Sequence, residues 1–427
     1  MKKVLVKMTA MCMIAVILSV TGCQGGSADN VLEEKSAVEI PMILTVNPSS
    51  GKKNEQALVE AFNEEYKGKY YLNAEWIMET EEEYRQNLKR QNVTDKLPAV
   101  ITDLRILPSF YQLMIKDGRI EDLSPYIEND SEWKDMIEPV VLKACTESDG
   151  SIYLAPLSTA AFSCSGIFWN ESLFEQAGIK EFPKTWDEFF VCCSKLRQNG
   201  IAPIGLHTEG TGWAAMLVAT AEMADTQEGA EFMEQEYPSS YNNDSVYHMA
   251  ETLQRLFRYT SDDAVNSDFD VAYNNFISGK TAMLANGYWM IDQIPKDLAG
   301  SIRFSPFPGN KLISSPETFG WAIVSGCSEE VKEGAVEFLK FRTRMNMEQR
   351  EELFTNESSD MSKMLKDYIN AYKNNPQIVP NYQVKWNSVL QEKVLGEALS
   401  SLALNKITTA EFVEMMNKSV EEYMREQ

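Results

Sequence analysis

The sequence predicts an α/β fold, in which helices alternate with the strands of a mostly parallel, buried sheet. Residues 40–46 form a short apolar run, and the turn-forming residues 47–51 that follow are typical of the end of a buried strand. Residues 55–66 place apolar side chains at helical spacing, and residues 70–76 and 99–103 return to strand-like runs. This strand–helix–strand order is the basis of the predicted fold class.

The same alternation continues through the rest of the chain. Apolar runs predict further strands at 167–169, 202–206 and 281–285. Thr-x-x-Glu sequences that begin at Thr185 and Thr408 are capping boxes, in which threonine and glutamate satisfy the first backbone groups of a helix. The last third of the chain is mainly helical in its apolar spacing.

Length and composition limit the class of protein. The chain has 427 residues, enough for two or three domains, and its 44% hydrophobic and 24% charged residues are typical of a soluble globular protein. The formal net charge is −23, so we expect no nucleic-acid partner, because such a surface repels phosphate backbones. Residues 210–215 match a dinucleotide-binding pattern, but Trp213 fills the space that the phosphates need. We expect neither a cofactor nor a metal.

The N-terminus has the pattern of a targeting segment. Residues 1–22 combine early lysines with a 13-residue apolar run, which is too short to span a bilayer and typical of a signal peptide. The small residues before Cys23 resemble a bacterial lipobox, and two acyl chains on Cys23 would anchor the chain stably. Residues 23–38 are expected to be a flexible tether. The alternative is an ordinary signal peptide followed by a chance cysteine.

Three tryptophans follow glycine-containing turns at or near predicted strand ends, namely Trp213, Trp289 and Trp321. Ligands bind at the carboxyl ends of parallel strands, and a sugar ring presents a C–H face that an exposed indole can cover. The alternative is that each indole packs a loop against the core. The tryptophans within strand or helix patterns are assigned to packing: Trp76, Trp133 and Trp186.

An ordered set of motifs then resembles a known family, the extracellular solute-binding proteins of carbohydrate ABC transporters (maltose-binding-like). These motifs are DGSIYLAP at 149–156, GIFWN at 166–170, PKTWDEF at 183–189, GKTAML at 279–284, NGYWM at 286–290 and FGWAI at 319–323. The resemblance covers residues 39–427.

The resemblance implies a two-lobed, periplasmic-binding-protein-like fold of type II, with a mostly parallel sheet flanked by helices in each lobe and a ligand cleft between the lobes. The expected boundaries are 39–153 and 305–345 for the N-terminal lobe, 159–300 and 350–427 for the C-terminal lobe, and 154–158 and 301–309 for the hinge crossings. The ligand would be enclosed by lobe closure, which a permease subunit recognises.

The resemblance also implies site residues. Trp289 is similar to the stacking tryptophan of the family's Asn-Gly-x-Trp motif. The other positions expected to contact ligand are Trp213, Trp321, Asp103, Ser163, Phe162, Glu209, Asn47 and Trp386.

The resulting prediction is a lipid-anchored, monomeric receptor on the extracellular face of the bacterial cytoplasmic membrane. It would bind a carbohydrate, in particular an oligosaccharide, and pass it to the permease subunits of an ABC importer without a catalytic step. Two alternatives remain: a surface enzyme that degrades glycans, and a solute-binding protein for a neutral solute other than a sugar.

Overall fold

Two β-sheets organise the chain from Ala37 onward. The computed structural model describes residues 37–45, 53–77, 81–102, 108–156, 163–235, 238–314, 320–355, 361–386 and 389–426. The predicted signal peptide, the tether up to residue 36 and Cys23 lie outside the described residues.

The described strands, in chain order, are β1 (Val38–Thr45), β2 (Tyr70–Ile77), β3 (Val100–Ile101), β4 (Cys164–Asn170), β5 (Ala202–Gly205), β6 (Thr281–Gly287), β7 (Ile302–Ser305), β8 (Lys311–Ser314), β9 (Ala322–Ile323) and β10 (Gln377–Pro380). The described α-helices are α1 (Lys53–Glu65), α2 (Glu81–Val93), α3 (Pro108–Lys116), α4 (Ser124–Glu128), α5 (Ser131–Asp135), α6 (Pro139–Cys145), α7 (Glu171–Gln176), α8 (Trp186–Gln198), α9 (Trp213–Met223), α10 (Gln227–Met233), α11 (Asp244–Leu256), α12 (Phe269–Ile277), α13 (Glu329–Thr355), α14 (Lys363–Lys373), α15 (Leu399–Ala403) and α16 (Thr409–Glu426). Short 3₁₀ segments occur at Gly210–Gly212, Phe257–Tyr259, Tyr288–Gln293 and Tyr382–Lys385, and Leu390–Ala398 is a π-helix.

The first sheet has the strand order β2-β1-β3-β9, and we call it and its helices the first lobe. The strands β2, β1 and β3 are parallel, as the sequence predicted, and only β9 runs antiparallel. Ile40, Phe62 and Phe338 are fully buried in its core. Trp133, which was predicted to pack, is 1% exposed, and its Nε1 donates to Thr343 Oγ1 at 3.0 Å.

The second sheet has the order β10-β8-β4-β6-β5, with β7 also paired to β4, and it defines the second lobe. The prediction of a mostly parallel sheet is wrong for this lobe. β4 runs antiparallel to β6, β7 and β8, and only the pairs β5·β6 and β10·β8 are parallel. The physical reason is connectivity. The chain enters β4 directly from the first lobe, so β4 begins at the edge of the sheet where its neighbours β6 and β8 end, and it runs in the opposite direction to them.

Two connections between the lobes lie side by side. On the first-lobe side Ala155 and Trp321 form a β-bridge, with Trp321 N donating to Ala155 O at 2.8 Å. On the second-lobe side Cys164 pairs with Ser314. The chain therefore changes lobe between Ala155 and Cys164, and returns between Ser314 and Trp321.

The return differs from the hinge predicted at 301–309. Residues 302–305 and 311–314 are strands of the second sheet, and the segment between them is a turn in which Phe307 is 1% exposed. Hydrogen bonding of β7 along β4 holds these residues in the second lobe, so the first lobe does not resume at residue 305. The proline pattern at 305–309 marks a turn within one lobe.

Helix α13 makes a third connection between the lobes, because its 27 residues span both cores. Phe338 and Leu339 are buried in the first lobe, and Met345 packs on the same core. Just over two turns later, Leu353 and Phe354 pack on the core of the second lobe.

A hydrogen bond also joins the lobes directly. Gln112, on α3 of the first lobe, donates from Nε2 to the hydroxyl of Tyr423, on α16 of the second lobe, at 3.0 Å. Tyr423 is 8% exposed, so the bond is partly shielded from solvent.

Candidate functional site

One edge of the second sheet faces the first lobe. We call it the inner edge; it consists of Cys164, where β4 begins, and the last residues of the strands that end beside it: Gly205, Gly287, Ser314 and Pro380. The assignment follows from connectivity, because the chain enters β4 from the first lobe and leaves β8 to return to it. The segments that follow β5 and β6, two neighbouring parallel strands, carry Trp213 and Trp289.

Trp289 is exposed at this edge, with 39% of its surface accessible. It is the second residue of the 3₁₀ segment after β6, and its six-membered ring lies against the backbone of Gly287. A Cβ added at Gly287 would lie 2.2 Å from Trp289 Cη2 and Cζ3. The buried Asn286 fixes the turn, since its Oδ1 accepts from Gly287 N at 2.7 Å and its Nδ2 donates to Met290 Sδ at 3.0 Å. Gly287 therefore supports the indole from one side, and part of the ring remains open to a ligand.

Trp213 is half-buried at the first turn of α9, in an aromatic cluster. Its ring centroid lies 4.9 Å from that of Phe269 and 5.5 Å from that of His207. Gly212, with φ of 55°, permits the sharp turn before α9, and a Cβ there would lie 2.2 Å from Leu399 Cδ2. The sequence prediction missed Phe269. The signal available in the sequence was Asp268, the capping residue of the helix that begins with Phe269 at this same edge.

His207 holds the loop that precedes Trp213. The imidazole is 1% exposed, and its Nδ1 donates to the backbone carbonyl of Glu209 at 2.8 Å. Burial lowers the pKa of His207 to about 4, against opposing effects from the Glu209 carbonyl and Asp268. The ring is therefore neutral near pH 7 and acts as a fixed donor to the backbone. The Glu209 side chain is exposed, so its carboxylate is available to accept hydrogen bonds.

Two predicted site residues are buried. Trp321 is 4% exposed in the core of the first lobe, with its ring centroid 5.3 Å from that of Phe338 and the Arg342 guanidinium 5.0 Å from its centroid. Trp386 is 4% exposed and packs edge-on against Tyr382 at 5.6 Å. The prediction of an exposed indole is wrong for Trp321, and Trp386, which was predicted only to contact ligand, likewise leaves little surface accessible. The backbone bridge to Ala155 fixes Trp321 next to the lobe connection but turns its indole inward.

The remaining predicted positions are only partly described. Ser163 is half-buried and directly precedes β4. Asn47, Asp103 and Phe162 lie outside the described residues. The described part of the chain thus brings Trp289, Trp213 and Glu209 to one edge of one sheet.

The described ranges contain no group of three or more His, Cys, Asp or Glu side chains arranged to hold a metal ion. The cysteines in the described part of the chain form no disulfide bond with one another: Cys145, Cys164, Cys192, Cys193 and Cys327. Within that part, no helix is both long enough and apolar enough to cross a membrane.

Comparison with known proteins identifies relatives of similar fold. A chitin oligosaccharide binding protein superposes with a TM-score of 0.70 at 18% identity, covering 91% of this chain and 99% of that one. A Streptococcus pneumoniae solute-binding protein, solved with the blood group A-trisaccharide, gives a TM-score of 0.68 at 20% identity, covering 91% of this chain and 100% of that one. At these identities the likeness concerns the fold.

Sequence comparison gives the same family over shorter segments. A Rhizobium meliloti (strain 1021) protein named "Probable sugar-binding periplasmic protein" is 24% identical over 178 residues, which are 41% of each chain. The aligned segments cover 41% to 51% of the curated relatives, about half of their length. The model of the family described as "Bacterial extracellular solute-binding protein" matches residues 48–344, well over half of the sequence. Together with the two-lobed fold, this match shows that the chain belongs to the bacterial extracellular solute-binding protein family.

Proposed function

We propose that the protein is a receptor that binds a carbohydrate, in particular an oligosaccharide, between its two lobes and delivers it to the permease of an ABC importer. One observation carries the proposal: the exposed indole of Trp289, supported by Gly287, at the edge of the second sheet that faces the first lobe. A flat apolar face beside an exposed carboxylate, that of Glu209, suits a sugar ring with its fringe of hydroxyl groups. The sugar ligands named for the related structures support the same class.

We propose that the two lobes close on the ligand, and the same architecture supports this. Three chain connections and the Gln112–Tyr423 hydrogen bond join the lobes, and a ligand that contacts both lobes favours the closed arrangement.

We further propose that acyl chains on Cys23 hold the receptor at the extracellular face of the membrane. Replacing Cys23 with Ser is expected to move the protein from the membrane fraction to the soluble fraction.

A thermal-shift screen against a panel of neutral glycans tests the function, with the sugars analysed chemically afterwards. A true ligand at 100 times its Kd is expected to stabilise the protein by about 2.7 kcal/mol. One or a few oligosaccharides should stabilise it and be recovered intact. Cleaved sugar would instead indicate a glycan-degrading enzyme, and stabilisation only by other neutral solutes would indicate a different solute class.

Gly287→Ala tests the support of the indole. The added methyl group cannot share space with the Trp289 ring, so the ring must move. We expect carbohydrate affinity to fall by roughly tenfold, about 1.4 kcal/mol, as measured by calorimetric titration. Gly326→Ala is the matched control, because a Cβ there has no atom within 4 Å, and it should leave affinity unchanged. Equal affinities for the two variants would contradict this role for Gly287.

Tyr423→Phe tests the hydrogen bond between the lobes. The variant keeps the buried ring but leaves Gln112 without this acceptor. Because the bond is made across the lobes, its loss is expected to weaken carbohydrate binding by about fivefold, within the usual range of about 0.5–1.5 kcal/mol for one hydrogen bond. The Tyr423→Phe variant should unfold at nearly the wild-type temperature. A Kd identical to that of wild type would show that closure does not use this bond.

A further inference from the structure

The second lobe carries a cavity of about 700 Å³, away from the inner edge. We call it the arginine cavity. It is lined by residues of α8, α11, the 3₁₀ segment after α11 and the start of α16: Ser194, Arg197, Gln198, Glu251, Gln254, Arg255, Arg258, Tyr259 and Thr409. Helix α8 ends at Gln198, shortly before the first residue of β5, and the last residue of β5 lies at the inner edge. The cavity is therefore near the opposite end of that strand from Trp213.

The arginines of this cavity differ from most other arginines of the protein. Among the described residues, none of Arg197, Arg255 and Arg258 lies within 4.0 Å of a carboxylate oxygen. Elsewhere in the described chain, arginines pair with acids: Arg119 with Asp95, Arg303 with Glu171 and Asp367, Arg344 with Glu65, Arg350 with Glu138 and Arg425 with Glu421. In a protein of net charge −23, three guanidinium groups that form no salt bridge with a described carboxylate converge on one cavity.

Contacts within the cavity hold two of these groups in place. The Arg255 guanidinium lies over the ring of Phe190, 3.4 Å from its centroid. Arg197 donates from Nη1 to the backbone carbonyl of Arg258. Such contacts reduce the side-chain entropy that a ligand would otherwise have to overcome. Ser194 Oγ and Tyr259 Oη, 3.2 Å apart, add hydroxyl groups to the wall.

The charge of the cavity is positive after its lining acid, Glu251, and the nearby Glu222, which interacts with Arg255, are both counted. Glu251 lines the wall, and its Oε2 lies 4.0 Å from Nδ1 of His248. The first turn of α16 adds little positive potential, because the Glu411 carboxylate already accepts from Thr408 N at 2.7 Å. The three arginines therefore determine the chemistry of the site, and they remain charged at every physiological pH.

We propose that the arginine cavity binds an organic phosphate that carries at least two negative charges. The tetrahedral oxygens of a phosphate can accept from guanidinium groups that approach from several directions, whereas a carboxylate offers two coplanar oxygens. The volume suits an organic molecule, since ligand pockets of about 300–1,000 Å³ are typical. Two sources supply this chemistry: a soluble phosphate ester and the headgroup of an anionic phospholipid.

Calorimetric titration tests the proposal, with fructose 1,6-bisphosphate as the soluble probe. The second probe is phosphatidylcholine vesicles with and without cardiolipin, whose headgroup carries two phosphate groups and two negative charges. All proteins carry Cys23→Ser, so that no acyl chain contributes to vesicle binding. In the triple variant Arg197→Gln/Arg255→Gln/Arg258→Gln, affinity is expected to fall by at least about tenfold, because each variant side chain loses a charge-assisted hydrogen bond to the phosphate.

The matched control removes the same charge from exposed positions of the first lobe, in Lys116→Gln/Lys134→Gln/Lys143→Gln. It should bind as the unsubstituted protein does. If only the arginine variant loses affinity for the soluble probe, the ligand is a free phosphate ester. If only the arginine variant loses affinity for the anionic vesicles, the ligand is a lipid headgroup. Equal loss in both variants, or no binding of either probe by the unsubstituted protein, overturns the proposal. Carbohydrate binding should be the same in both triple variants, so this result does not depend on the proposed receptor function.

Discussion

Trp289→Ala is expected to reduce carbohydrate binding by about 30- to 100-fold, which corresponds to the roughly 2 kcal/mol or more that a central aromatic anchor contributes. The indole is the exposed large aromatic side chain at the inner edge, and it is held by a glycine rather than by a packed core. Its removal leaves the fold intact, because an exposed substitution changes stability by about 0.5 kcal/mol or less. The unfolding temperature without ligand should therefore stay within about 2 °C of wild type.

Tyr71→Ala provides the control for Trp289→Ala. Tyr71 is 50% exposed near the start of β2, the end of the strand away from the second lobe. The control removes an exposed aromatic ring of comparable accessibility without touching the inner edge. The two variants are to be compared by calorimetric titration with the sugar identified in the glycan screen. If both bind that sugar equally well, Trp289 is not part of the site and the stacking proposal fails.

His207 is expected to make the protein less stable as the pH falls below about 6.5. Burial lowers its pKa to about 4 in the folded chain, whereas the unfolded chain titrates near 6.5. Between these values the unfolded state binds more protons than the folded state, so the free energy of unfolding decreases as pH decreases. The contribution of neutral His207 to the free energy of unfolding is complete above about pH 6.5, and about 2.5 kcal/mol of it is lost between pH 7.5 and 4.5.

Denaturant unfolding at these two pH values measures the effect in wild type and in His207→Asn. Asn keeps a donor for the Glu209 carbonyl but has no proton to gain, so its stability should fall by about 2.5 kcal/mol less than that of wild type. Trp213→Phe disturbs the same aromatic cluster without removing an ionisable group, and it should retain the wild-type pH dependence. A His207→Asn variant with the wild-type pH dependence would contradict the buried, neutral state of this ring.

The sequence by itself determined the local elements. Apolar runs located β1, β2, β4, β5 and β6 within about one to three residues, because burial on a sheet leaves a continuous apolar run. The capping boxes marked helix starts correctly; Thr185 Oγ1 accepts from Glu188 N, and Thr408 Oγ1 accepts from Glu411 N. The glycine before Tyr288 and Trp289 likewise indicated a turn at a strand end, where the structure has one.

Tertiary structure alone decided which of these local features work together. Strand direction in the second sheet depends on where β4 enters the sheet. The spacing of apolar residues within one strand carries no information about whether its neighbours run parallel or antiparallel to it. Trp321 follows a glycine as part of a turn motif, much as Trp289 does, yet its distant partner Phe338 helps to bury it. The arginine cavity likewise joins residues from three separate segments of the chain. Periodicity reports that a side chain is buried or exposed, but only long-range packing specifies its partner, because that packing involves residues far away in the sequence.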